Sequence, residues 1–107
     1  MKRFGFVILL EPDHIERYKE YHRDVWPEVL AGIRRSNIRN YSIFLKDDYL
    51  FGYYEYHGSD HDTDIANIAA DPMTKEWWSI MMPMQRPLDT RRTGEWWAEM
   101  EEVFHCD

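Results

Sequence analysis

The chain has 107 residues, 44% hydrophobic and 31% charged, the proportions of a folded globular protein long enough for one domain and too short for two. Its net charge of −7, with Lys2-Arg3, Arg34-Arg35 and Arg91-Arg92 as isolated basic doublets that extend into no patch, argues against a nucleic-acid surface, which needs clustered cations against phosphates. No apolar run approaches the roughly 18 residues of a membrane span, and the single Cys106 has no partner for an internal disulfide. A single domain over residues 1–107 in the cytoplasm is the expectation.

Phe4 to Leu10 is apolar on both alternations, as in a central strand covered on both faces; Glu11-Pro12-Asp13 follows it where a signal peptide would carry small residues. Asp13 and Glu16 have the spacing of a capping pair and predict a helix to about Arg23. Tyr18, His22 and Trp26 then fall along one helical face. Imidazole is the side chain that exchanges protons near neutral pH, so this stripe fits a proton-transfer site for a small, partly apolar molecule. Aromatic stripes at this spacing are more often core, and spacing alone favours that reading.

Pro27 suits a first helical position and predicts a segment over Glu28 to Arg35. Ile38 to Leu45 alternates, with Tyr41, Ile43 and Leu45 on one face and Asn40, Ser42 and Phe44 on the other. Lys46-Asp47-Asp48 is a turn, and Tyr49 to Tyr56 returns as its hairpin partner. A helix over about Asp62 to Ala70 follows a polar loop. Asp71-Pro72 then opens another helix with Met73, Trp77, Ile80, Met81 and Met84 on one side, ended by Pro83. Gln85 to Gly94 reads as a loop. The tail from Trp96 to Phe104 fits strand or helix, with residues 102–105 leaning towards strand.

The order β, α, β, β, α, β predicts the ferredoxin-like α+β plan, a four-stranded antiparallel sheet with helices on one face. The hairpin strand carries aromatics on both alternations: Tyr49, Phe51 and Tyr53 against Tyr54 and Tyr56. Helices cover one face only, so a second copy is expected on the other, giving a homodimer joined sheet to sheet.

Taken together, Tyr18-x-x-x-His22-x-x-x-Trp26-Pro27-Glu28, Asn40-Tyr41-Ser42-Ile43-Phe44-Leu45, Trp77-Trp78 and Glu101-Glu102-Val103-Phe104 resemble the L-rhamnose mutarotase family across nearly the whole chain. The resemblance implies a dimeric α/β barrel of ferredoxin-like subunits that interconverts α and β anomers of a monosaccharide without a cofactor. It implies His22 as proton donor and Tyr18, Tyr41, Trp77 and Trp78 as sugar-binding residues. Trp77 and Trp78 lie about 100° apart on a helix, so one is expected to line the pocket while the other gives an edge or fills core. The loop from Pro83 to Gly94, the pair Trp96-Trp97 and the stretch Asp60-His61-Asp62 depart from the family pattern. They leave L-fucose or another deoxy-hexose open beside L-rhamnose.

Three other readings compete. His57, Asp60, His61 and Asp62 form a ligand-rich loop but lack a paired helical metal spacing. Small dimeric ferredoxin-like proteins with a histidine and aromatics also include haem-binding proteins and cofactor-independent oxygenases, and fold alone does not separate them. A non-enzymatic metabolite sensor would keep the tryptophans without needing His22.

Overall fold

The computed structural model describes residues 1–107. The first apolar run forms β1 (Lys2–Leu10), which lies inside the sheet and pairs on both edges. On one side it meets β3 (Tyr49–Tyr56) antiparallel, from Lys2 opposite Tyr56 to Leu9 opposite Tyr49. β3 in turn pairs with β2 (Ile38–Lys46) through the turn at Asp47 and Asp48. Asp47 takes the left-handed conformation, φ 55°, which aspartate tolerates better than most residues.

The other edge of β1 is filled in two pieces. β4 (Gln85–Arg86) lies opposite Leu9 and Leu10, and β5 (Ala98–Met100) lies opposite Gly5 to Val7. Residues 87–97 leave the sheet between them. Pro87 has no amide hydrogen to continue the ladder, which accounts for the break directly after Arg86. Two expectations are corrected here: Gln85 and Arg86 are strand rather than loop, and the final strand is Ala98–Met100 rather than 102–105. Continuing the register with Met100 opposite Gly5 brings Val103 opposite Lys2, the first residue of β1, so the residues beyond it run past the strand and have no ladder left to join. Arg3 and Glu102 meet through their side chains instead, 2.9 Å apart.

The helices are α1 (Ile15–His22), α2 (Pro27–Arg35), α3 (His61–Ala70) and α4 (Pro72–Met81). Asp71 caps α4, its carboxylate accepting from the Thr74 amide at 2.9 Å, and Asp60 caps α3 through the Thr63 amide. Such caps are each worth about 1 kcal/mol. The expected Asp13–Glu16 capping pair does not form. Asp13 sits inside a 3-10 turn, Pro12–His14, so its backbone is already helical and α1 starts without a side-chain cap.

All four helices lie on one face of the sheet. One core cluster joins Ile8, Leu10 and Leu50 to Tyr18, Val29, Trp77 and Met81; a second joins Phe4, Tyr54 and Tyr56 to Ile38 and Ile68. Ile8 and Leu10 are completely buried, worth roughly 1.5–3 kcal/mol each. The opposite face leaves Phe44, Tyr49, Phe51 and Met100 exposed. No helix is long and apolar enough to cross a membrane.

The β2–β3 ladder slips between Arg39 and Ser42, with Asn40 at φ 52°. The bulge sends the Asn40 amide outwards to Glu55, 2.7 Å away, and sets the Tyr41 ring against Tyr54 on the helix side.

Candidate active site

Tyr18 and His22 occupy successive turns of α1, their rings stacked with centroids 4.2 Å apart. The side chain of His22 folds back on its own helix, so that Nδ1 lies 2.8 Å from the Tyr18 backbone carbonyl oxygen. A carbonyl only accepts, so Nδ1 carries the hydrogen and Nε2 of the neutral ring is left as an acceptor. Partial burial holds the His22 pKa below the ordinary imidazole value, with the carbonyl bond opposing the shift. At neutral pH the ring is therefore uncharged, with a bare Nε2.

Trp77 from α4 is buried and meets His22 edge-on at 5.4 Å, with Tyr21 and Trp26 against its other sides at 5.9 and 5.1 Å. It bounds the imidazole and fills core at once. Trp78, one residue on, is 37% exposed and shares none of these aromatic contacts. Trp26 packs the helix junction.

The hydroxyl of Tyr18 accepts from Gln85 Nε2 at 3.1 Å, and the Trp96 indole N–H donates to Gln85 Oε1 at 2.9 Å. Burial raises the Tyr18 pKa far above the ordinary phenol value, so the hydroxyl stays protonated. Tyr41 lies close enough to both Tyr18 and Tyr54 that an ionised neighbour opposes ionisation of either. The Tyr41 residue is 44% exposed overall, yet burial of its phenol end raises its pKa as well. Trp97 lies over Gly52, one ring carbon 3.4 Å from where a β-carbon would stand, so the indole occupies the space that the glycine leaves.

At the far side of Tyr41, the Tyr54 hydroxyl is 2.6 Å from His61 Nε2, and His61 stacks on Phe4 at 4.2 Å. His61 and Asp60 are thus used in a phenol bond and a helix cap, while His57 faces Glu55. No three His, Cys, Asp or Glu side chains converge in an arrangement that could hold a metal ion.

Of the residues singled out in the sequence, His22 packs against both Tyr18 and Trp77, Tyr41 neighbours Tyr18, and Trp78 stands apart from the imidazole. Sequence reasoning missed Gln85, Trp96, Trp97, Tyr54 and His61 as parts of this site. The signal for the tryptophans was present, since an adjacent pair is infrequent, but it named no partner. Gln85 carried none. A depression of about 440 Å³ elsewhere, lined by Arg35, Ser36, Asp64, Asn67 and Asp71 among others, contains no group that titrates near neutrality.

The model of the L-rhamnose mutarotase family matches residues 3–106. An L-rhamnose mutarotase of Oceanobacillus iheyensis is 31% identical over the whole of both chains. An L-fucose mutarotase of Xanthomonas campestris pv. campestris is 33% identical, over 97% of this chain and 87% of its own length. Among solved structures, the L-rhamnose mutarotase from Formosa agariphila superposes with a TM-score of 0.77 over 100% of both chains at 23% identity, a likeness of fold. The four segments that carry the sequence resemblance thus lie within a match running almost end to end, and the chain belongs to the L-rhamnose mutarotase family.

Proposed function

We propose that this chain is a sugar mutarotase, an isomerase that interconverts the α and β anomers of a 6-deoxy-hexose such as L-rhamnose or L-fucose, with His22 as the proton-transfer group. The observation that carries the reading is the Nδ1 bond of His22 to the Tyr18 carbonyl, which leaves Nε2 free to accept on a ring packed against Tyr18 and Trp77.

Mutarotation opens a hemiacetal and closes it on the other face. Nε2 takes the proton from the anomeric oxygen, the C1=O1 double bond forms as the C1–O5 bond breaks, and O5, accepting a hydrogen bond from a phenol hydroxyl, takes its proton from water. Rotation about C1–C2 presents the other face of the aldehyde, and the same steps run backwards. His22 is then the acceptor on opening and, as imidazolium, the donor on closure. General acid–base catalysis of this kind contributes about 10²–10⁴-fold. The reaction proceeds unaided in water, so these side chains suffice in principle. Tyr18 and Tyr41 supply hydroxyls for the sugar's oxygens. Trp77 and, from a more open position, Trp78 supply indole surface for its C–H faces and methyl group.

A second copy of the chain is proposed to cover the outer sheet face, where Phe44 is 66% and Tyr49 42% exposed. A cytoplasmic setting suits the lone, exposed thiol of Cys106.

Saturation-transfer NMR on L-rhamnose, L-fucose and related sugars, with and without protein, tests the reading. Accelerated exchange between anomers of a 6-deoxy-hexose is expected. No acceleration on any sugar of the panel would overturn it.

A further inference from the structure

The pair Trp96-Trp97 is left without a role by the family pattern, and its first member ends a chain of hydrogen bonds that reaches Tyr18. We propose that Trp96 and Gln85 are positioning residues that commit the Tyr18 hydroxyl to donating its hydrogen away from Gln85, to a bound sugar, opposite in polarity to the accepting Nε2 of His22. This rests on the mutarotase reading and adds to it how the second polar group is aimed.

An indole N–H can only donate, so the Gln85 atom 2.9 Å from Trp96 Nε1 must be the carbonyl oxygen. That fixes the amide orientation, and its NH₂ end then faces the Tyr18 oxygen 3.1 Å away. Tyr18 accepts this bond, so its own hydrogen is not spent on Gln85, and no other side chain or backbone group takes it as an acceptor. Both partners are shielded from solvent, Tyr18 at 4% and Gln85 at 8% exposure, so water does not readily re-orient the pair. Burial also keeps the phenol protonated, so the hydrogen is always present to be given.

Trp96 is itself held. The Glu95 carboxylate accepts from the Arg92 amide at 2.9 Å with one oxygen and from the Glu99 amide at 3.2 Å with the other, tying the end of the 87–97 excursion to β5. His22 and Tyr18 then present an acceptor and a donor on adjacent turns of one helix. Opening a hemiacetal needs this combination: an acceptor for the hydrogen of O1 and a donor for O5.

Gln85→Glu tests the polarity. An ionised carboxylate accepts from Trp96 and also from Tyr18, which withdraws the Tyr18 hydrogen from the sugar. A protonated carboxyl can donate to Tyr18 while accepting from Trp96, and so restores the native pattern. Anomer exchange by this variant, divided by that of the unaltered protein at each pH, is expected to be down by about 10- to 100-fold at pH 8. It should rise as pH falls through the carboxyl's titration. The division cancels the titration of His22. Gln85→Met, which removes both hydrogen bonds, is expected to lower the ratio at every pH without a slope. A ratio for Gln85→Glu that stays flat with pH, at any level, overturns the proposal. Should Gln85→Glu fail to fold, Trp96→Phe decides: a fall in kcat of several-fold with KM little changed is expected, and an unchanged kcat overturns it. Failure of the unaltered protein to accelerate exchange would instead overturn the mutarotase reading itself.

Discussion

His22 is defined less by its distance from other side chains than by which of its nitrogens is occupied. The bond from Nδ1 to the Tyr18 carbonyl selects one tautomer, and burial lowers the pKa, so Nε2 is an acceptor through the neutral range. The sign of the pH dependence follows. Protonation fills Nε2 and removes the acceptor, so the rate of opening falls as pH drops. Because the folded-state pKa lies below 6.5, the acid limb of the rate profile should lie below 6.5 also. Exchange measured from pH 4 to 8 checks this; an acid limb at or above 6.5 would contradict the assignment. Tyr18 is different in kind. With its pKa raised far above neutrality it contributes a hydrogen bond and no titration of its own in this range.

At the scale of elements, most of the framework was legible because its signals are local. The apolar run at Phe4 to Leu10 became β1, and Asp71-Pro72 became the capped start of α4, since a carboxylate before a proline satisfies the first free amides directly. Asp13 and Glu16 show where such reasoning fails. Pro12 favoured a tight 3-10 turn that absorbed Asp13, and the cap was lost. The split fourth strand was illegible for another reason. Two and three residues respectively, too few for alternation to register, pair with β1 because of what lies opposite them. The same holds for the site. Tyr18 and His22 are neighbours on a helix and could be read together, whereas Gln85 stands 67 positions from Tyr18 and meets it only after the sheet has formed. Trp96 reaches Gln85 across the excursion for the same reason.

For the whole molecule, the helices cover one face of the sheet and leave Phe44, Phe51 and Met100 on the other at 66%, 36% and 39% exposure. A contiguous apolar face of this kind is normally closed by association. Sedimentation equilibrium at micromolar concentration is expected to give twice the 13.1 kDa mass of one chain. Phe44→Glu adds a charge to a surface already carrying a net −7 and should shift the equilibrium to single chains. A monomeric unaltered protein would contradict the homodimer. The most direct test of the role of His22 compares anomer exchange, read by saturation transfer, in the unaltered protein and in His22→Ala. The variant is expected to keep its circular dichroism and still bind the sugar, while exchange drops by about 10²-fold or more towards the rate in buffer. A folded His22→Ala protein that exchanges anomers as fast as the original would contradict it.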